Sequence, residues 1–303
     1  MIPSISLTAG GPALSRLVFG CWRLHSDPQG FGAQRILEKI EFSLELGIYT
    51  FDHADIYGEY QNEEHFGKAL RLKPGLKDSI TIVTKCGIQV PSVKHPGIHL
   101  KHYNTSEEHI LESVDSSLEK LGVEKIDLLL IHRPDFLMDA DSVASAFFKL
   151  RAAGKVMHFG VSNFTPSQFQ LLQSRLNFPL VTNQVEFHPL HLSPLTDGTF
   201  DQAQELRFRP MAWSPTAGGR IFSHKGEREV AVRDALEQLA KDKGVSSDAI
   251  LYAWFLVHPA GILPIVGTNQ TSRLRSAAEA FRIHLTREEW YRIWAAGAGH
   301  SIP

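Results

Sequence analysis

The chain has 303 residues, the length of one or two domains, and its 31 lysine and arginine residues nearly balance 33 aspartate and glutamate residues for a net charge of −2. This balance excludes a bulk electrostatic attraction to nucleic acid or to an anionic membrane surface. No apolar run reaches the ~18 residues of a membrane-spanning helix, no secretory signal is visible, and two cysteines are too few for a disulfide scaffold, so we expect a cytoplasmic protein.

Eight short aliphatic or β-branched runs recur along the chain, and a segment with helical periodicity follows each of them. Several runs are continuously apolar, which is typical of strands covered on both faces in a parallel sheet. The pattern predicts an α/β fold, a (β/α)8 TIM barrel with extended βα loops at the C-terminal face, as a single domain over residues 1–303. The predicted strands are Leu17–Gly20, Thr50–Asp52, Ile80–Lys85, Ile126–His132, Val156–Val161, Val181–Glu186, Arg209–Trp213 and Ile262–Val266.

A doubly wound dinucleotide-binding sheet is the alternative α/β architecture. Such a sheet carries a glycine-rich fingerprint after its first strand. The nearest match, Gly30–Gly32, lacks the third glycine and follows no predicted strand, so the barrel is favoured.

Helix boundaries are marked by capping residues. Thr105 with Glu108 predicts a capping box at the start of one helix, and Thr165 with Gln168 predicts another, with a proline in the first turn. Gly244 follows a basic residue and predicts the end of a third helix. Each boundary lies between two predicted strands, as the alternating pattern requires.

Four polar residues lie at or near three consecutive strand ends. Asp52 ends the second run, Lys85 the third and His132 the fourth, while Tyr57 follows Asp52 by five residues. In a barrel of this type, the chemistry collects at the carboxyl ends of the strands. Charged groups near a core are costly unless they are paired. We therefore expect the four side chains to converge on one pocket.

The four side chains indicate a proton donor and the groups that tune it. The pKa of a phenol is ordinarily about 10, and an adjacent ammonium lowers it while a buried carboxylate keeps that ammonium charged. The pattern thus predicts that Lys85 and Asp52 lower the pKa of Tyr57. A neutral imidazole, His132, would then orient a carbonyl oxygen for protonation.

The motifs around these residues resemble those of the aldo-keto reductase family over nearly the whole chain, close to a bacterial branch of predicted NADP-dependent oxidoreductases. The resemblance implies reversible hydride transfer between a nicotinamide and an aldehyde or ketone, with Tyr57 as the general acid, Lys85 and Asp52 as its tuning pair and His132 as the carbonyl-orienting group. The motifs that carry it are Asp52–Gly58 (DHADIYG), Lys85, Leu129–Pro134 (LLIHRP), Gly160–Phe164 (GVSNF), Asn183–Pro189 (NQVEFHP), Ala212–Pro215 (AWSP) and Gly267–Arg273.

The resemblance also implies how a dinucleotide would lie. Ser162, Asn163 and Gln184 would hydrogen-bond the carboxamide, and Trp213 would stack on the nicotinamide ring. Small residues allow backbone N–H groups to approach a pyrophosphate closely. The residues expected there are Ser214, Pro215, Thr216, Gly218 and Gly219.

The resemblance implies that Gly267, Thr268 and Arg273 bind the cofactor at the last barrel helix, where Thr268 and Arg273 would bind a 2′-phosphate. The chain departs from the common family pattern in two places. Gly267 replaces a lysine that often precedes the threonine, and Ser276–Ala277 replace an adenine-contacting Glu/Asn. NADP(H) is the preferred cofactor, and NAD(H) stays open as the alternative.

The substrate is expected to be a small-molecule carbonyl compound. The segment Gly87–Ser106 has no clear helix or strand pattern, and a loop of this length is often functional, so we expect a substrate wall or lid. His99 and Tyr103 in this loop, together with Trp22, are the predicted pocket residues; Trp22 could instead plug the barrel mouth. No pattern indicates an oligomeric state.

Three alternatives to this interpretation remain. Asp52 and Lys85 could form a purely structural ion pair. His53, Asp55 and His132 could belong to a metal-dependent hydrolase, although Lys85 would put a cation where the metal should sit, so no metal site is predicted. The chain could also be a cofactor-binding regulatory subunit of the channel-accessory type, although barely 16 residues precede its first predicted strand.

Overall fold

Residues 1–302, which the computed structural model describes, contain twelve strands and twelve α-helices. The strands are β1 (Ser4–Ser6), β2 (Ala13–Ser15), β3 (Val18–Gly20), β4 (Thr50–Asp52), β5 (Thr81–Cys86), β6 (Ile88–Gln89), β7 (His102–Tyr103), β8 (Ile126–Ile131), β9 (Val156–Ser162), β10 (Asn183–Glu186), β11 (Met211–Trp213) and β12 (Leu263–Val266). The helices are α1 (Ala33–Leu46), α2 (Tyr57–Tyr60), α3 (Asn62–Leu72), α4 (Glu107–Leu121), α5 (Ala140–Ala152), α6 (Pro166–Gln173), α7 (Thr199–Glu205), α8 (Arg220–Ser223), α9 (Glu227–Lys243), α10 (Ser247–Val257), α11 (Thr271–Glu279) and α12 (Arg287–Ala298).

Eight parallel strands close into a barrel, so the predicted (β/α)8 fold is confirmed. The order around the barrel is β3, β4, β5, β8, β9, β10, β11 and β12, and β12 pairs back onto β3. Each predicted run forms one barrel strand, with ends within two residues of the predicted ones. Because the strands are parallel, their carboxyl ends all open on one face, where the predicted polar residues lie.

Two of the three helix boundaries predicted from capping residues are confirmed. Thr165 and Gln168 form a full capping box at the start of α6, and Gly244 ends α9 in the left-handed conformation. The prediction of a capping box at Thr105 and Glu108 is wrong. Ser106 caps α4 instead, while the Thr105 hydroxyl donates to Asp135 Oδ2 at 2.9 Å. No helix within residues 1–302 combines the length and apolarity needed to cross a membrane.

The barrel interior is closed at its amino end by the antiparallel pair β1–β2, which the sequence pattern did not reveal. Leu7 and Leu14 from this hairpin are fully buried against inward-facing residues of the barrel strands, such as Leu128 and Met211. A second apolar layer lies between the strands and the surrounding helices. The hairpin therefore leaves the carboxyl end as the open face of the barrel.

The predicted irregular segment Gly87–Ser106 contains the short antiparallel pair β6–β7, in which Ile88 lies opposite Tyr103. The Tyr60 hydroxyl donates to the Val90 carbonyl at 3.0 Å and accepts from the Val90 N–H at 2.8 Å. These bonds anchor the loop to α2, beside the barrel mouth.

A substitution at Gly160 would test how tightly the barrel is packed. A Cβ at this position would approach Leu130 Cδ2 and the Thr182 carbonyl oxygen to 2.8 Å each. We expect Gly160→Ala to lower the free energy of unfolding by roughly 1–3 kcal/mol, because a crowded core must shift to admit the methyl group. Thermal and urea unfolding would measure the loss.

Gly75→Ala is the matched control, because a Cβ at Gly75 would meet no atom within 4 Å. It should change stability by no more than roughly 0.5 kcal/mol. Equal stability of the two variants would contradict this description of the barrel packing.

Candidate active site

A cavity of about 430 Å³ opens at the carboxyl ends of the barrel strands. Asp52, Tyr57 and His132 line it on one side, and Ser162, Gln184 and other residues of β9 to β12 line it on the other. The parallel strands thus bring together side chains that are far apart in the sequence, as predicted.

The ammonium group of Lys85 is the centre of the site. It is buried and donates to Asp52 Oδ2 at 2.8 Å, to the His53 carbonyl at 2.7 Å and to the Tyr57 hydroxyl at 3.1 Å. An ammonium has three N–H donors, so all of them are satisfied. Burial by itself lowers the pKa of Lys85, but Asp52 and Tyr57 more than offset it, so the net pKa is raised and the amine stays charged.

The pKa of Tyr57 shifts in the direction opposite to our prediction. Burial raises the pKa, and the Lys85 ammonium lowers it but does not offset the burial. The spacing of Lys85 and Tyr57 in the sequence reports the nearby ammonium but not the removal of the phenol from water. Tyr57 is therefore a neutral phenol at neutral pH, which is the protonation state that a proton donor requires.

His132 is neutral as predicted. Its imidazole is buried, and its ring centroid lies 5.8 Å from that of Tyr57. Burial lowers its pKa well below 6.5, and the charges of Lys85, Arg133 and Lys101 add to the effect. Its Nδ1 atom has no hydrogen-bond partner within residues 1–302. A neutral ring at the cavity wall can donate an N–H to a carbonyl oxygen.

The four residues expected around the nicotinamide are connected by hydrogen bonds. Gln184 Nε2 donates to Asp52 Oδ1 at 2.8 Å, and the Ser162 hydroxyl donates to the Gln184 carbonyl at 2.8 Å. Asn163 Nδ2 donates to the Ser162 hydroxyl at 2.7 Å, and Trp213 Nε1 donates to Asn163 Oδ1 at 2.9 Å. Asn163 holds a positive φ of 61°, a strained conformation that is common at functional sites.

A second cavity of about 620 Å³ adjoins the first, and Arg23, Thr216 and Gly267 line both. Thr268 and Arg273 line the second cavity. The expected pyrophosphate residues are divided between the two: Ser214, Pro215, Thr216 and Gly218 line the first, while Thr216 and Gly219 line the second.

The arrangement fits an extended dinucleotide. A Cβ at Gly267 would meet no protein atom within 4 Å, so a side chain there would occupy the space that joins the two cavities. Arg273 at the far end donates to Asp248 Oδ1 at 2.8 Å, and its guanidinium carbon lies 5.1 Å from the ring centroid of Phe222.

The expected substrate residues are only partly brought together. Trp22, which is 53 % exposed, and Tyr103 line the first cavity, so Trp22 forms part of the rim and does not plug the barrel. His99 is exposed and lies outside the cavity, because only the β7 end of its loop turns toward the mouth. The prediction that His99 lines the substrate pocket is therefore wrong.

Several cavity residues were missed by the sequence analysis. Arg133 follows His132 directly, and Lys101 precedes β7. The position of Arg133 after a strand-end histidine was a usable signal, whereas the position of Lys101 depends on the fold of its loop. Within residues 1–302, no three or more His, Cys, Asp or Glu side chains are grouped as metal ligands.

The model of the aldo/keto reductase family matches residues 16–298, and the chain belongs to this family. It is 48 % identical to oxidoreductase YdhF of Escherichia coli strain K12, over 100 % of each chain. It is 45 % identical to a 6-dehydroglucose reductase of Agrobacterium fabrum, over 95 % of this chain and 96 % of the relative. The predicted resemblance to bacterial members of the family is thus confirmed.

Two solved structures are similar to this chain. A glycerol dehydrogenase of Gluconobacter oxydans matches with a TM-score of 0.83 at 25 % identity, over 99 % of this chain and 95 % of that one. A thermostable aldo-keto reductase in complex with epalrestat matches with a TM-score of 0.81 at 24 % identity, over 97 % and 100 %, and it shows the fold alone. Membership of this family and the two bacterial relatives identify the chain as an oxidoreductase of carbonyl compounds. Every relative named here is an oxidoreductase, which favours an enzyme over a channel-accessory subunit.

The two pKa shifts predict a flat pH profile for carbonyl reduction. The lowered pKa keeps His132 neutral above about pH 6, and the raised pKa keeps Tyr57 protonated up to at least about pH 9. We expect kcat/KM to vary little across this window and to fall only beyond it. Steady-state rates in overlapping buffers would measure the profile.

Nucleotide affinity measured at the same pH values is the control, because it separates titration of the cofactor phosphates from titration of the site. An inflection in kcat/KM between about pH 6 and 9 that nucleotide binding does not share would contradict the assigned protonation states.

Proposed function

We propose that this aldo-keto reductase reduces a small aldehyde or ketone to the alcohol with NADP(H) as the preferred cofactor and NAD(H) as the alternative. We further propose that residues 1–303 act as one catalytic domain in the cytoplasm. The two buried free thiols, Cys21 and Cys86, support a reducing compartment. The observation that carries the proposal is the buried Lys85 ammonium, which contacts both Asp52 and the Tyr57 hydroxyl.

Tyr57 is proposed as the general acid. As the carbonyl carbon is reduced, negative charge develops on its oxygen, and the neutral phenol donates its proton there. The phenolate that results lies beside Lys85, which is 3.1 Å from the hydroxyl oxygen and stabilises the new charge. Asp52 keeps Lys85 charged, and neutral His132 orients the carbonyl oxygen by donating a hydrogen bond.

The reduced nicotinamide, when bound, supplies the hydride. We propose that Ser162, Asn163 and Gln184 bind its carboxamide and that Trp213 stacks on its ring. The support is that these four side chains line the cavity of the proposed acid and are already linked by hydrogen bonds to Asp52. Pre-linked side chains lose little further freedom on binding.

The pyrophosphate and the 2′-phosphate would follow the connected cavities. The glycines Gly218 and Gly219 hold positive φ values of 68° and 100°, which let backbone N–H groups approach a phosphate. Thr268 and Arg273 would bind the 2′-phosphate beside the start of α11. Asp248 faces the same guanidinium, so a phosphate must share Arg273 with a carboxylate.

Tyr57→Phe tests the proposed acid. Removal of the hydroxyl should lower kcat by about 100- to 10,000-fold, the usual contribution of a general acid, while nucleotide affinity stays near that of the wild type. Steady-state oxidation of NADPH with an aromatic aldehyde and fluorescence titration of NADPH are the measurements.

Tyr49→Phe is the matched control, because the Tyr49 hydroxyl bonds the Ser4 side chain, away from the cavity. Turnover by Tyr57→Phe that equals the turnover of this control would remove Tyr57 from the mechanism.

Arg273→Ala tests the nucleotide preference. Hydrogen bonds to charged groups contribute about 1.5–3 kcal/mol, but Arg273 already binds Asp248, so the Kd of NADPH should rise only about three- to tenfold while the Kd of NADH changes little. Loss of Arg273 also leaves the Asp248 carboxylate facing the phosphate. Fluorescence titration of both nucleotides gives the ratio.

Arg275→Ala is the control on the same helix, since Arg275 packs over Phe42 and lies outside the cavity. Equal losses for NADPH and NADH in Arg273→Ala would refute a role in binding the phosphate.

A further inference from the structure

Two basic side chains at the substrate end of the cavity have no role in the mechanism above. Arg133 follows the strand end that carries His132, and Lys101 lies in the loop before β7. We infer that Arg133 and Lys101 form an anion subsite, so that the preferred substrate is a carbonyl compound that also bears a carboxylate or similar oxyanion. The inference rests on the proposed function.

Neither cation has an acidic partner within residues 1–302. Arg133 makes no hydrogen bond or ion pair there, and its guanidinium carbon lies 5.2 Å from the ring centroid of Trp213. A guanidinium held against an aromatic ring keeps its five N–H donors free for a ligand. Lys101 is exposed and likewise has no acidic partner in this part of the chain.

The other arginines along the cleft are engaged by the chain itself. Arg23 donates to the Gly218 carbonyl at 2.8 Å, Arg35 bonds Asp27 at 3.1 Å, and Arg273 bonds Asp248 at 2.8 Å. Arg133 is half-buried and lines the open cavity, so its N–H donors are available to a ligand. A ligand oxyanion would accept from them in charge-assisted hydrogen bonds.

The two cations line the same cavity as His132. Arg133 is the next residue in the chain after His132, and Lys101 reaches the cavity from the loop before β7. An oxyanion bound by them would therefore share the cavity with a carbonyl oxygen held by His132.

The charge of the cavity also favours an anionic substrate. Asp52 is the one carboxylate that lines it within residues 1–302, and Lys85 neutralises it. The other walls near the two cations are aromatic or aliphatic, namely Trp22, Ile88 and Tyr103. Apolar walls reduce the access of water and strengthen an ion pair formed among them. The cavity thus has an unbalanced positive charge at its substrate end.

Matched acid and ester substrates test the subsite. The pairs are 4-carboxybenzaldehyde with methyl 4-formylbenzoate, and succinic semialdehyde with its methyl ester. We expect kcat/KM of the wild type to favour the acid of each pair. Arg133→Gln should lower the acid-to-ester ratio about tenfold, which corresponds to about 1.4 kcal/mol, chiefly through the KM of the acid. Lys101→Gln should lower the ratio in the same direction.

Dividing the acid-to-ester ratio of a variant by that of the wild type removes the effect of the intrinsic reactivity of each aldehyde. Lys94→Gln is the matched control, since Lys94 lies in the same loop but outside the cavity; it should keep the ratio of the wild type. Arg133→Lys should recover part of the preference, because it restores the charge without the forked donors.

The outcomes separate the two proposals. Reduction of the esters with a ratio that Arg133→Gln leaves unchanged would overturn the anion subsite and retain the reductase. A higher Kd for NADPH in Arg133→Gln, with the ratio intact, would assign the cation to the cofactor and overturn it as well. Absence of reduction for every aldehyde of the panel would overturn the proposed function and the inference together.

Discussion

The burial of one ammonium group constrains the whole active face of the barrel. A charged amine in a protein interior is costly unless every N–H finds an acceptor, and Lys85 finds three: a carboxylate, a backbone carbonyl and a phenol. Asp52, which holds the amine, also accepts from Gln184 on the opposite side of the barrel. One ion pair therefore fixes the positions of the proposed proton donor and of the hydrogen-bonded chain at the proposed nicotinamide site relative to each other.

The barrel fold accounts for this arrangement, because consecutive parallel strands place Asp52, Lys85 and His132 at neighbouring positions on one rim. The same geometry explains why the fold and these residues could be predicted from sequence. Several strands are continuous apolar runs, the three that carry this set are each followed by or end in a polar residue, and parallel strands must end on the same face. The predictions needed only local pattern and the direction of the chain.

The predictions that failed depended on three-dimensional surroundings that no local pattern contains. The pKa of Tyr57 is raised because the folded chain removes its phenol from water, an effect that the spacing of Asp52 and Lys85 cannot report. Thr105 has the right residue type for a cap, but Asp135 from another loop accepts its hydroxyl. The position of His99 was likewise decided by the fold of its loop.

The basic side chains along the cleft differ in whether they have an acidic partner, and this difference affects selectivity. At the nucleotide end, Arg273 is paired with Asp248, so a phosphate gains only the difference between its own attraction and that of a carboxylate already present. At the substrate end, Arg133 and Lys101 have no acidic partner within residues 1–302, so a ligand oxyanion would not compete with a carboxylate of the chain. An unpaired cation discriminates strongly between charged and neutral ligands, whereas a paired one discriminates weakly. By this reasoning the chain should select more sharply for a charge on the carbonyl substrate than for the extra phosphate of NADPH.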